Sequence, residues 1–523
     1  MSRLSGPSLG ICLLLLGLMT PMDAVSQEED IEEIGEVRPP DYYNTQMVEG
    51  RRLRGGGDYV RALTTLAIIL EEGDESEPYY QEAEYELALT FFNMGMFQSA
   101  LGFIGQIVDK GEIHIRHRDS LQWLVRLHRK IPGNLTVLEQ IDSYRPDLYP
   151  EALIDELNYL VGRFRYSNAD LAGALERLNQ VRKKGGSYFV RGRYLAGVIY
   201  VEQKKAREAE QSFKDVLRYV SSRGVDEPEL RRFRDLSVMA LARMFFTVGN
   251  HRAAERFYKR IPRTSELWLD AMYEMSWAYF HLGDYTRSMG NLWTLSSPYF
   301  ENEYFPEVKL LQATILYASC NDREVIDLVT QFVPEFQLLK KEVKAILERT
   351  SDPNEFYFYL ARLAQSRSSE LSREVRRLFN AALSSRRVQR YFDFIIQLNR
   401  EVSQMKRLMG KVGQSDMLAR VMTELQSDRE LIIVETGDLA RERLVRVRKD
   451  VSALLTDSLR LKFETIRRLR KRIGADRSVV ERVGTVEPIV VDDEHISYQF
   501  DGEYWLDELG DYLYEVRKRC VAE

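Results

Sequence analysis

Gly57-Asp58-Tyr59-Val60-Arg61-Ala62-Leu63 recurs as Gly95-Met96-Phe97-Gln98-Ser99-Ala100-Leu101 and again as Gly283-Asp284-Tyr285-Thr286-Arg287-Ser288-Met289. Each copy has Gly, an aromatic two residues on and a small residue five residues on. Each also follows an amphipathic stretch with a small residue seven positions before the Gly (Gly50, Ala88, Ser276) and Leu or an aromatic four before it (Leu53, Phe91, Tyr279). Gly249, with Ala242, Phe245 and Ala254, repeats the pattern, and Gly197-Tyr200-Ala209-Phe213 does so with Lys204 at the turn. Small residues let two helices approach, the aromatic fills the gap, and Gly or a polar substitute makes the tight turn, so each copy reads as a helical hairpin. A short hairpin cannot bury its apolar side alone, so a stacked array is expected.

The pattern resembles the tetratricopeptide repeat, about 34 residues long with small residues at its eighth and twentieth positions and aromatics at its eleventh and twenty-fourth. Gly249 to Gly283 keeps a period of 34, whereas Gly57 to Gly95 stretches to 38. Five repeats are clear, and degenerate ones are expected at 117–147, 150–182 (with Gly162 and Ala174) and 303–334, so the resemblance covers residues 46–336. It implies an all-α solenoid whose groove is lined by the first helix of each hairpin. Carried onto this chain, that lining is Tyr85, Phe92 and Asn93, then Tyr194 and Glu202, then Arg243 and Phe246, then Tyr273, Trp277, Phe280 and His281. Phe91-Phe92, Phe245-Phe246 and Tyr279-Phe280 each set two aromatics about 100° apart, one plugging the hairpin and the other turned to the groove. Such a stripe suits a partner helix or extended peptide. It would equally fill a tightly wound solenoid, and the residues alone leave both readings open.

The N-terminus bears on compartment. Arg3, an apolar run from Leu9 to Met19, and small residues at Ala24 and Ser26 predict a signal peptide over 1–26, cleaved before Gln27. The run is shorter than the roughly 20 residues of a spanning helix. A lipoprotein signal around Cys12 is disfavoured by the bulky Ile11 before it. Residues 27–45 form an acidic leader (Glu28, Glu29, Asp30, Glu32, Glu33, Glu36) read as a disordered linker. Beyond the signal only Cys320 and Cys520 remain, so stability must come from buried apolar surface; one bridge or two separate thiols are both open. A soluble or peripherally envelope-associated protein of a bacterial periplasm is expected.

Past residue 336 the Gly signature ends. Over 337–480, Val388-Tyr391-Ile395-Leu398-Val402-Met405-Leu408 and Leu444-Val447-Val451-Leu455-Leu459-Lys462-Ile466-Leu469-Ile473 recur near a 3.5-residue spacing, which predicts long coiled-coil-like helices, paired within the chain or in a homodimer. Gly437-Asp438 reads as a break and N-cap before the second of them. The last segment, 481–523, reads as a small cap: strands at 489–491 and 497–500, then a helix carrying Trp505, Leu506, Leu509, Tyr512, Leu513 and Val516. The stretch 500–510 resembles the ending of tetratricopeptide proteins from the envelope and gliding-motility machinery of bacteria.

Chemistry is sparse. Gly6-Pro7-Ser8-Leu9-Gly10 fits a serine-hydrolase pattern but lies in the signal, and no P-loop or dinucleotide fingerprint occurs. His114 and His117 lack further ligands nearby, and Asp492-Asp493-Glu494-His495 reads as a solvated turn. Neither catalysis, cofactor nor metal is expected. Between Asp438 and Ala475 twelve Lys or Arg face five Asp or Glu. The cluster Arg467, Arg468, Arg470, Lys471 and Arg472 has no interleaved aromatics, which argues against nucleic acid. The expected function is a non-catalytic periplasmic scaffold that grips envelope proteins through the groove. The alternative is a module for cell-wall or anionic lipid components, contacted by that basic helix.

Overall fold

The structure, a computed structural model, describes residues 39–223, 227–300, 303, 305–365, 372, 375–378, 383, 386–413, 415–475, 485–486 and 503–520. The signal, residues 27–38 of the acidic leader, and 489–500 lie outside them, whereas 40–45, expected to belong to the disordered leader, are helical. Hairpins follow one another from the start: α1 (Pro40–Gly55) with α2 (Tyr59–Glu72), α3 (Pro78–Asn93) with α4 (Phe97–Lys110), α5 (His117–Lys130) with α6 (Thr136–Asp142), and α7 (Ile154–Ser167) with α8 (Leu171–Gln180). They continue as α9 (Ser187–Glu202) with α10 (Ala206–Arg223), α11 (Pro228–Thr247) with α12 (His251–Tyr258), α13 (Trp268–Leu282) with α14 (Tyr285–Leu295), and α15 (Glu307–Ala318) with α16 (Asp322–Glu348). Pro40 sits at the first position of α1, which starts ahead of the expected residue 46, because its fixed φ and missing N–H suit a helix start.

The turns explain the repeat. Gly57, Gly95, Ala169, Lys204, Gly249, Gly283 and Cys320 all have φ between 58° and 84°, the left-handed region. The next backbone N–H bonds back to Leu53, Phe91, Arg165, Tyr200, Phe245, Tyr279 and Leu316 in turn, at 2.8–3.0 Å, which is the six-to-one bond of a Schellman stop. Lys204 thus does take the glycine's place, and Ala169 and Cys320 mark two of the degenerate repeats. After four of these turns, Asp58, Asp170, Asn250 or Asp284 accepts the N–H three residues on and caps the second helix. The small residues are close-approach points: a Cβ at Gly197 would lie 2.6 Å from the Phe213 ring, and one at Gly162 would lie 2.7 Å from Leu178.

Beyond the hairpins lie α17 (Pro353–Gln365), α18 (Arg386–Val412) and α19 (Asp416–Ala475), the last a single helix of 60 residues and so about 90 Å long. The expected break at Gly437 is absent. A Cβ there would sit 2.0 Å from the Pro353 carbonyl oxygen, so the glycine serves close packing against α17 rather than a turn. The two apolar stripes pair within the chain: Tyr391, Ile395, Leu398 and Met405 share a core with Leu418, Val421 and Leu425 of α19, and Leu444 and Val451 share one with Val325, Val329, Phe332 and Phe336 of α16. The helix α16 itself crosses the expected 336/337 boundary.

The long helix bridges the array. At its start, Glu71 of α2 accepts Met417 N (3.2 Å), and Glu401 of α18 accepts Gln98 N and Ser99 N at the start of α4 (3.0 and 3.2 Å). Near its end Arg468 pairs with Asp322 and donates to Tyr317 O (2.8 Å), and Arg472 reaches Asp322 at 3.1 Å. The C-terminal segment is not a helix, contrary to its spacing. Residues 503–520 run mainly in turns and irregular backbone along α14 and α15, with Tyr514 N on Thr286 O and Arg519 N on Ser319 O. Arg517–Lys518 pairs antiparallel with Thr485–Val486, and Cys320 is bonded to Cys520. Tyr504 stacks on Trp293 with centroids 4.7 Å apart. The solenoid supplies partners that a helix would have found within itself, and Gly510, at φ +97°, interrupts any helical run.

Candidate protein-binding face

Adjacent first helices of the hairpins are cross-linked by one polar pair after another. Arg54 of α1 meets Glu86 of α3 at 2.6 Å, and Trp123 Nε1 of α5 donates to Tyr85 Oη of α3 at 2.7 Å. Arg129 of α5 pairs with Glu156 of α7, Tyr166 of α7 donates to Glu202 of α9, and Arg191 of α9 pairs with Glu229 of α11. Arg243 of α11 meets Glu274 of α13 at 2.6 Å, and Tyr258 donates to the same carboxylate at 3.0 Å. Three of the expected groove residues, Tyr85, Glu202 and Arg243, therefore belong to a ladder that joins repeat to repeat. Tyr194 is likewise spent on packing, with its ring against Phe213 and Phe233 at 5.8 and 5.5 Å. Phe92 packs edge-on against Trp123, and Asn93 is exposed.

The remaining five come together. Phe246 meets His281 at 5.6 Å between ring centroids, Trp277 meets Phe280 at 5.8 Å, and Trp277 Nε1 donates to Tyr273 Oη at 3.1 Å. His251, unmarked by the sequence reading, stacks on His281 at 4.4 Å. Burial and the charge of His281 hold its pKa below the ordinary imidazole range. Val248 and Leu282, each just before a turn glycine, are 73% and 38% exposed. The C-terminal ends of α11 and α13 with the start of α12 thus form a half-exposed aromatic and aliphatic face. Its signal in the sequence was the apolar residue preceding Gly249 and Gly283, which no interior position requires.

The basic helix is only partly free. Arg468 and Arg472 close on Asp322, which is buried, and the Arg468 guanidinium lies 3.8 Å over the Tyr317 ring. Arg467, Arg470 and Lys471 are exposed. His114 is buried on Glu84 at 3.1 Å and His117 stacks on Tyr144, so both are packing residues. No helix among the described residues is long and apolar enough to cross a membrane, and no group of side chains there could hold a metal ion.

Stacked hairpins with left-handed turns and a ladder between their first helices define a helical-repeat protein of all-α class. No protein-family model matches the chain, and no curated protein matches it. Among solved structures it is similar to the apo form of the quorum sensor NprR from B. thuringiensis, at 12% identity and a TM-score of 0.23, over 73% of this chain and 87% of that one.

Proposed function

We propose that this chain is a non-catalytic scaffold that binds another protein through the face formed by Phe246, Val248, His251, Trp277, Phe280, His281 and Leu282. The observation that carries the reading is the exposure of apolar residues beside clustered aromatics at the ends of two successive repeats. Isolated exposed apolar residues are ordinary, whereas a contiguous patch rimmed by polar groups marks an interaction site. Aromatics on a rigid element suit it as an anchor for a partner helix or extended segment. The N-terminal pattern of 1–26 supports export, so the partner is sought in the periplasm or envelope. Contact with lipid or wall through the basic helix is less favoured, because Arg468 and Arg472 are engaged by Asp322.

The test is affinity capture from native envelope with wild type and with Val248→Glu, Leu282→Glu and Trp277→Ala. The first two change only exposed surface. Arg243 is not a suitable probe, since a carboxylate there would face Glu274 and break the ladder. A defined protein captured by wild type and lost from all three variants is the expected outcome. Capture unchanged in all three would sink the assignment.

A further inference from the structure

Arg163 of α7 and Arg390, on the first turns of α18, have no acidic partner among the described residues. The geometry brings α18 against the turn that follows α5: a Cβ at Gly133 would lie 2.6 Å from Arg390 O and 3.0 Å from Phe394 Cβ. Arg163 Nη2 lies 3.5 Å from Nε2 of His128 on α5. Arg390 feels the charges of Arg163 and Arg386 and donates its Nε–H to the Arg386 carbonyl at 3.0 Å; Arg232 neighbours Arg386, and the charges of Arg129 and Arg191 reach His128. The carboxylates that meet them are Glu156 on Arg129, Glu229 on Arg191, and Glu266 shared by Arg232 at 3.6 Å and Arg386 at 3.2 Å. Among the described residues these six arginines share three carboxylates, and none of the three pairs with Arg163 or Arg390. Asp393, one turn along α18 from Arg390, is exposed and makes no ion pair with any described residue.

His128 records the same field. It is 7% exposed, and its Nδ1 has no hydrogen-bond partner. Burial, with Arg163, Arg390, Arg191 and Arg129 behind it, pushes its pKa down to about 3, so the ring is neutral. With Nε2 facing a guanidinium donor, the ring proton belongs on Nδ1, a buried donor lacking an acceptor. Burial and the neighbouring Arg163 also hold Arg390 below its ordinary value. Half-buried like charges repel and lose hydration, a cost that an oxyanion between them would remove. Planar guanidinium forks recognise phosphate and carboxylate oxygens two at a time.

We propose that this cluster is an oxyanion site, in which Arg163 and Arg390 hold a small ligand bearing two or more phosphate or carboxylate groups and Arg386 and Arg232 lie at its rim. It is separate from the aromatic face and does not depend on that reading. The experiment is calorimetric titration of the purified chain with pyrophosphate and with citrate, in chloride buffer of matched ionic strength. Wild type, Arg163→Gln, Arg390→Gln and the exposed control Arg467→Gln are compared. Saturable binding is expected, weakened about tenfold or more by either cluster variant and unchanged in the control. Pyrophosphate alone binding identifies phosphate as the chemistry; citrate binding as well identifies carboxylate groups too. In chloride alone both cluster variants should melt no lower than wild type, because a repulsion has been removed. Absence of binding, or equal binding in the cluster variants, overturns the proposal. Should a variant fail to fold, the His128 ring resonance of histidine-labelled wild type gives a second reading: it should move on adding pyrophosphate, and a resonance that stays put counts equally against the site.

Discussion

Gly410 and Gly437 both lie inside long helices, and alanine should act on them in opposite directions. A Cβ at Gly410 meets nothing within 4 Å, so Gly410→Ala should stabilise by about 0.5–1 kcal/mol, the ordinary helix preference. At Gly437 the Cβ would collide with the Pro353 carbonyl, backbone that cannot rotate away, and Gly437→Ala should lower the melting temperature. Thermal melts of the two single variants check the pair. His128 supplies a second residue-scale test. Its folded pKa, about 3, is below the ordinary 6.5, so the unfolded chain binds the extra proton first and stability is lost as pH falls below 6.5. Urea unfolding across that window should show wild type losing up to about 1.4 kcal/mol per pH unit more than His128→Asn. The seven-residue signature was legible because left-handed turns and close helix contacts admit few side chains. The role of Gly437 was not, since a close approach to a residue far along the chain leaves no local mark.

Among the described helices, some starts are capped by a residue of the adjoining turn and one by a residue far along the chain. Asp58, Asp170, Asn250 and Asp284 cap locally and are visible in the sequence. The start of α4, where Met96 offers no acceptor, is instead capped by Glu401, over 300 residues away and fully buried. Glu401→Ala leaves two helix-start N–H groups without it and should cost about 1–3 kcal/mol in urea unfolding, while the exposed control Glu435→Ala should cost almost nothing. The C-terminal segment teaches a related lesson. Its apolar spacing is helical, yet its described backbone donates hydrogen bonds to solenoid carbonyls and is tied by Cys320–Cys520. Reduction, or Cys320→Ser, should speed tryptic cleavage at Arg517, Lys518 and Arg519 while the helical circular dichroism stays unchanged. Cleavage at an unaltered rate would mean that the packing of Tyr504 and Gly510 suffices without the bond.

At the scale of the molecule, an array of hairpins is elastic because each repeat touches only its neighbours. Here α18 and α19 tie the second hairpin to the last, through Glu401 at one end and Arg468–Asp322 at the other. Combining Glu401→Ala with Asp322→Asn should loosen that tie, and small-angle scattering should report a larger radius of gyration with helix content preserved. The sequence by itself determined the hairpins, their turns and their stacking, because those depend on neighbours within one repeat and leave a periodic trace. It also placed the apolar stripes of the long helices, without saying what they meet. Only the tertiary structure decided that these stripes pair within the chain, that Tyr85, Glu202 and Arg243 serve the ladder, and that two arginines of the basic helix are engaged. Those outcomes depend on contacts between residues tens to hundreds of positions apart, which no local spacing encodes.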